Sequence, residues 1–130
     1  MASREQKDRF LKSHSFGVVG ASNDRGKFGN RVLRKYLEHG LIAYPINPKE
    51  KTVEGLSTFS SVRDLPPETK SISIITPPEI TEIIVEEAIE KGVENIWMQP
   101  GAESPRAVQN ARNHGINLIA DGSCILVELG

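Results

Sequence analysis

Phe16-Gly17-Val18-Val19-Gly20-Ala21-Ser22-Asn23-Asp24-Arg25-Gly26-Lys27-Phe28-Gly29 is the stretch that decides the fold. Its first part, Phe16 to Gly20, is a short apolar run ending at glycine, which reads as a buried strand. Ala21 to Gly29 is rich in Gly, Ser, Asn and charge, and reads as a loop. Asn30 to His39 then carries Val32, Leu33, Tyr36 and Leu37 at the spacing of one helical face, with Gly40 as the stop.

The same alternation continues along the chain. Ile42 to Ile46 reads as a strand ended by Asn47-Pro48. Val53 to Leu56 suggests a very short strand, and Ser60 to Leu65 one helical turn closed by Pro66-Pro67. Ser71 to Ile75 is a further strand. Pro78 suits a first helical turn, and the helix from there to Lys91 is expected to bury Ile80, Ile83, Ile84, Ala88 and Ile89 before Gly92 stops it. Glu82, Glu86, Glu87 and Glu90 would form its solvated face. Asn95 to Met98 is a strand, with Trp97 expected at the edge of the core. Ser104 reads as the N-cap of a helix to His114, and Asn117 to Ala120 is the last clear strand. Strands alternating with helices imply an α/β fold: a single three-layer, Rossmann-like domain over residues 1–130, with a mostly parallel sheet covered on both faces.

Composition limits the function. The chain has 130 residues, the size of one ordinary domain, and a formal net charge of −1. That balance supplies no basic field for nucleic acid or anionic lipid. The lone cysteine, Cys124, has no partner for an internal disulfide, which fits a reducing compartment. The polar N-terminal stretch carries acids and lacks the apolar run of a secretory signal, and no stretch is long and apolar enough for a membrane span. A cytoplasmic location is therefore expected. No Cys or His cluster suggests a metal site, and no Ser-His-Asp or Cys-His arrangement marks a catalytic set.

In parallel α/β sheets ligands bind beyond the C-terminal strand ends, near the point where strand order reverses. Four loops leave such ends: Gly20 to Gly29, Asn47 to Lys49, Thr76 to Pro78, and Gln99 to Gly101. In the first, small residues let a phosphate approach the backbone, and N–H groups at the helix start donate to it. Ser22 adds a hydroxyl, and Arg25 and Lys27 add positive charge. A plain strand-to-helix turn is the competing reading. The second loop reads Tyr44-Pro45-Ile46-Asn47-Pro48-Lys49, with no acid before Glu50. Dinucleotide-binding domains that hold bare ribose hydroxyls usually place an acid there. A lysine suits an extra phosphate on the ribose, which favours coenzyme A or an NADP-type ligand over NAD. A merely solvated Lys49 is the alternative.

Val18-Val19-Gly20-Ala21-Ser22, Tyr44-Pro45-Ile46-Asn47-Pro48-Lys49, Ile75-Thr76-Pro77-Pro78 and Trp97-Met98-Gln99-Pro100-Gly101 together resemble the CoA-binding domain of succinyl-CoA synthetase α-subunits and of small standalone proteins. The resemblance runs from about Phe10 to Glu128. It implies that Gly20, Ala21, Ser22 and their loop hold the CoA diphosphate, and that Asn47, Pro48 and Lys49 lie by the adenosine end and its phosphate. By the same resemblance Thr76 and Pro77 line the adenine side, Gln99, Pro100 and Gly101 flank the pantetheine arm, and the strand ending at Thr76 lies beside the first strand.

The sequence also departs from that family. His14, His39 and His114 sit at the ends of expected elements, and none matches the synthetase's phosphorylated histidine, so its reaction does not carry over. Many standalone members have Asp-x-Cys near the C-terminus, whereas Asp121 and Cys124 are separated by Gly122 and Ser123. A Cys124 near the pantetheine end would form a mixed disulfide with CoA; an inert buried thiol is the alternative.

Three functions follow. The first is a non-catalytic module binding CoA or an acyl-CoA, with any protein partner unspecified. The second is an NAD(P)-dependent oxidoreductase, and the third a domain without ligand that serves as an interaction surface. For the first, Gly20→Val is expected to block the diphosphate while leaving the fold intact, unless Gly20 needs a backbone shape that other residues resist.

Overall fold

The computed structural model describes residues 2–130. Its sheet has five parallel strands: β1 (Ser15–Val19), β2 (Ile42–Ile46), β5 (Ser71–Ile74), β6 (Asn95–Met98) and β7 (Asn117–Ile119), in the order β2-β1-β5-β6-β7. Between β2 and β5 the chain makes a small antiparallel hairpin, β3 (Thr52–Val53) with β4 (Leu56–Ser57), and a 3-10 turn at Val62–Asp64. The sheet reverses direction of growth between β1 and β5, which are neighbours as the resemblance implied. Pairing there runs Gly17 to Ile72, Val18 to Ser73 and Val19 to Ile74.

All five residues of β1 are buried, because a central parallel strand is covered on both faces. On one face lie α1 (Arg4–Leu11), α2 (Phe28–Glu38) and α5 (Ile125–Glu128). There Val32, Leu33 and Tyr36 of α2 pack with Phe10, Phe16, Val18, Trp97 and Ile125. The Phe16 and Tyr36 rings stack at 4.6 Å, and Phe10 meets Trp97 edge-on at 5.3 Å, geometries favoured by the ring quadrupoles. On the opposite face α3 (Pro78–Lys91) and α4 (Pro105–Asn113) set Val85, Ala88, Ala107 and Ala111 against Ile72, Ile74, Ile96 and Met98. In β5, Ser71-Ile72-Ser73-Ile74, the isoleucines face α3 while the Ser73 hydroxyl is hydrogen-bonded to the buried Tyr36 hydroxyl.

The element ends follow their side chains. Ser104 caps α4 by accepting from the Ala107 N–H at 3.0 Å. Gly92, at φ 86°, ends α3, since its left-handed turn lets the last carbonyls be satisfied. His39 and His114 are exposed, and each ring nitrogen sits against a carbonyl of its own helix end, Lys35 at 3.0 Å and Asn110 at 2.9 Å.

Three points differ from or add to the expected elements, besides Trp97. First, the polar N-terminal stretch, to which no element was assigned, forms a helix, α1, started by a capping box in which Gln6 N–H donates to Ser3 Oγ at 3.1 Å and Ser3 N–H to Gln6 Oε1 at 2.9 Å. Second, α3 buries Thr81, Val85 and Ala88, leaving Ile80 and Ile83 42% and 53% exposed. Thr81 replaces an apolar residue at the interface because its hydroxyl is held by the Pro77 carbonyl at 3.2 Å and by Thr76 Oγ1 at 2.8 Å. Third, the acids of α3 are not a uniformly solvated face. Glu82 accepts from Ser104 Oγ at 2.8 Å, and Glu87 is half-buried against Arg63 and Ser61. Trp97 is fully buried, its indole N–H donating to the Ser123 carbonyl at 2.9 Å. Among the described residues no helix is long and apolar enough to cross a membrane.

Candidate functional site

The candidate site lies along the C-terminal edge of the sheet, where β1 ends at Val19 and the chain turns sharply at Gly20. Gly20 has φ +93°, and a β-carbon there would stand 2.1 Å from the Ile75 carbonyl oxygen. A β-carbon at Gly29 would stand 2.0 Å from the Gly20 carbonyl oxygen. The turn and the first residues of α2 are thus pressed together, and only glycine fits at either contact. This overturns the expectation that Gly20→Val leaves the fold intact: the clash is with the backbone of the sheet.

The loop between them is organised by its own polar groups. Ser22 Oγ accepts from the Asp24 N–H at 3.0 Å, and Asp24 Oδ1 accepts from the Gly26 N–H at 2.9 Å. Asn30 Nδ2 donates to the Ser22 carbonyl at 2.8 Å. Lys27 is the N-cap of α2 and supplies no side-chain cap, so the first-turn N–H groups of that 11-residue helix keep their donors free for an anion.

Asn47 joins this loop to the next. Its Nδ2 donates to the Ala21 carbonyl at 2.8 Å, while its Oδ1 accepts from the N–H groups of Lys49 and Glu50 at 2.8 and 3.0 Å. The side chain is committed to positioning both loops. Arg25 is exposed and pairs with Glu54 at 3.4 Å, and Glu54 also accepts from Asn30 Nδ2 at 3.0 Å. The hairpin turn that carries Glu54 therefore neutralises part of the positive charge expected from Arg25. Lys27 and Lys49 are both exposed.

Gly20, Asn47, Pro48 and Thr76 come together in a cleft of about 290 Å³. Its walls add Val19, Ile46, Ile80 and Ile84, with Ser60, Ser61 and Glu87. Those additions were not legible as site residues. Ser61 and Glu87 are 26 residues apart, and meet only because α3 packs on the 3-10 turn, with Ser61 Oγ donating to Glu87 at 3.3 Å. Exposure of Ile80, unexpected for a helix packed on a sheet, is explained by its place in the cleft wall. A larger groove of about 510 Å³ runs between α3 and α4, lined by charged and polar side chains including Glu79, Glu86, Arg106 and Asn110. It lies on the helical face and begins at the first turns of α3 and α4.

Of the remaining expected residues, Ala21 is buried under the loop, Ser22 is half-buried, and Pro77, Pro100 and Gly101 are exposed. Gln99 is completely buried. Its Oε1 accepts from the Ile125 N–H at 3.1 Å, whereas its Nε2 is, among the described residues, the one buried side-chain polar atom without a partner. Such a donor costs about 1–3 kcal/mol if left unpaired. Cys124, in the same segment, is half-buried.

The family model described as "CoA binding domain" matches residues 14–130. The chain belongs to that family. This CoA binding domain is 30% identical over 123 residues to the α subunit of ADP-forming acetate–CoA ligase II of Pyrococcus furiosus, an alignment covering 86% of the chain and 27% of the relative. It is 26% identical over 121 residues to the α subunit of the corresponding ligase I of the same organism, covering 81% of the chain and 26% of the relative. The domain thus spans about a quarter of the length of each of these relatives. Among solved structures it resembles a conserved hypothetical protein of P. furiosus, with TM-score 0.84, 36% identity, and coverage of 88% of this chain and 98% of that one. A hypothetical protein from Pyrococcus horikoshii gives TM-score 0.90 at 29% identity, with coverage of 98% and 89%.

Proposed function

We propose that this domain holds coenzyme A, free or acylated, across the C-terminal edge of its sheet as a non-catalytic module. The observation that carries the reading is the glycine contact at Gly20 and Gly29, which brings the bare turn against the uncapped start of α2. A diphosphate there accepts backbone N–H groups without displacing a side chain. Ser22 retains a hydroxyl proton for the same oxygens, since its Oγ acts as the acceptor toward Asp24. Lys49, exposed next to Pro48 of the cleft wall and in no ion pair among the described residues, is the residue we assign to the adenosine 3′-phosphate. The apolar walls of the cleft suit a ligand that is flat or aliphatic at that point.

His14, His39 and His114 are exposed, at the ends of elements rather than in the cleft. The ligase subunits that the domain resembles are about four times as long as the matched segment. Isothermal titration with CoA, NAD and NADP tests the reading. Selective CoA binding in the micromolar range is expected. Binding of NAD or NADP in its place would assign the cleft to a nicotinamide dinucleotide, and binding of none would leave the edge as a protein-interaction surface.

A further inference from the structure

We propose that the groove between α3 and α4 receives the outer face of α2 from a second copy of this chain, laid antiparallel to the two helices that form the groove. The contact is independent of what the cleft at the strand ends binds.

The groove, about 510 Å³, follows from helical spacing. Its α3 wall is the stripe Glu79, Ile83 and Glu86, and its α4 wall the matching stripe Arg106, Asn110 and Asn113. Two neighbouring helices that present such stripes outward leave a furrow that a third helix fits. Ile83, in the middle of its stripe, is 53% exposed. Glu79, Glu86 and Arg106 are exposed, and none of them forms an ion pair among the described residues. Glu82 adds a third carboxylate to the wall, held by the Ser104 hydroxyl at 2.8 Å.

An occupant must therefore bring positive charge along a helix, and α2 does so on the side away from its buried Val32, Leu33 and Tyr36. That side carries Arg31, Arg34, Lys35 and Glu38, beside Leu126 of α5. Arg34 donates to Asn30 Oδ1 at 2.7 Å and to the Arg25 carbonyl at 3.1 Å, both neutral acceptors, so its charge stays uncompensated. Lys35 reaches Glu38 at 3.9 Å, and Arg31 is exposed without an ion pair among the described residues. Three cations and one acid on α2 thus face three acids and one cation in the groove.

The order of charges fixes the direction. Glu79 to Glu86 and Arg31 to Glu38 are each seven residues apart, about 10 Å along a helix. α3 and α4 follow successive parallel strands and run the same way, so the groove opens at Glu79 and Arg106. Laid antiparallel, α2 sets Glu38 beside Arg106 and Arg31 beside Glu86. Laid parallel, it would set Arg31 against Arg106 and Glu38 against Glu86. Two-fold docking fails for the same reason, since groove on groove opposes acids to acids and α2 on α2 opposes cations to cations. The contact is heterologous. Because α2 and the groove lie on opposite faces of the sheet, each copy gives one surface and receives on the other, and copies stack head to tail.

Sedimentation velocity on the full chain over a concentration series tests this. Wild type should self-associate in about the 10–100 µM range suited to a small polar contact. Raising salt from about 0.05 M to about 0.5 M should weaken association about tenfold or more. Arg31→Glu and Glu86→Arg should each weaken it about tenfold, and the two together in one chain should restore it. Unchanged melting midpoints show that these exposed substitutions leave the fold alone. A wild type that stays monomeric to about 1 mM would overturn the second copy as occupant and leave the groove to a basic helix of another protein. Weakening by Glu86→Arg but not by Arg31→Glu would overturn the role of α2. Failure of the doubly reversed chain to recover would overturn the antiparallel pairing.

Discussion

The two edges of the sheet differ in how completely their polar groups are satisfied. At the edge where the strands begin, polar side chains are tied to one another. Ser13 is hydrogen-bonded to Ser71, Asn95 donates to Ser71 at 3.1 Å, Asn117 donates to Asn95 at 3.0 Å and to the Gln6 carbonyl at 3.0 Å, and Ser15 meets Thr69 at 2.7 Å. The chain crosses three strands and ends on α1. At the edge where the strands finish, glycines replace side chains, the start of α2 is uncapped, and Gln99 keeps an unused donor. Polar groups that satisfy each other hold a fold together. Polar groups left open are the exceptions that call for an explanation.

That contrast can be broken from either side. The largest effect is expected at Gly20→Val, where a β-carbon meets the Ile75 carbonyl and φ is positive. It should cost about 3 kcal/mol or more and show as a lowered denaturation midpoint, in addition to any loss of ligand. Asn117→Ala, at the closed edge, should cost about 1–3 kcal/mol by stripping partners from Asn95 and Gln6, with CoA affinity unchanged by titration. If CoA binding fell as well, the two edges would not be independent. Lys49→Ala should leave stability alone and weaken CoA by about 1 kcal/mol, roughly fivefold, more than it weakens dephospho-CoA. Equal losses would remove the 3′-phosphate from the assignment.

The smallest effect concerns pH. Burial by itself would raise the Asp121 carboxyl, but hydrogen bonds from the Ser123 hydroxyl and N–H and from the Ala2 N–H, with the charge of Lys7, outweigh it and lower its pKa. A carboxyl lowered on folding stabilises the native state above its unfolded pKa, and that contribution is lost as pH falls through the folded value. Denaturant midpoints compared between wild type and Asp121→Asn should therefore differ near neutral pH and converge as pH falls below the ordinary carboxylate range.

Much of the fold was legible because buried parallel strands are short apolar runs and glycine marks where helices stop. Five of these runs became the five parallel strands. Two features were lost for physical reasons. α1 is mostly polar outside, and its signal was the spacing of Ser3 and Gln6 together with one fully buried ring, Phe10. In α3, apolar residues lie nearly all round the helix, so periodicity alone did not choose a face. The choice was made by Thr81, whose hydroxyl is satisfied locally, and this turned Ile80 toward the cleft. In the site, the glycines were readable because close backbone approach needs them wherever the chain folds. Glu87 and Ser61 were not, since tertiary packing alone brings them to the cleft. The roles of Asn47 and Arg25 also depended on partners distant in sequence, Ala21 and Glu54.

The capping box at Ser3 has a topological consequence. Ala2 N–H reaches Asp121 at 3.1 Å and Arg4 pairs with Glu128 at 2.8 Å. The helix before the first strand and the segment after the last one are thus clasped to each other, so loosening either releases a partner of the other.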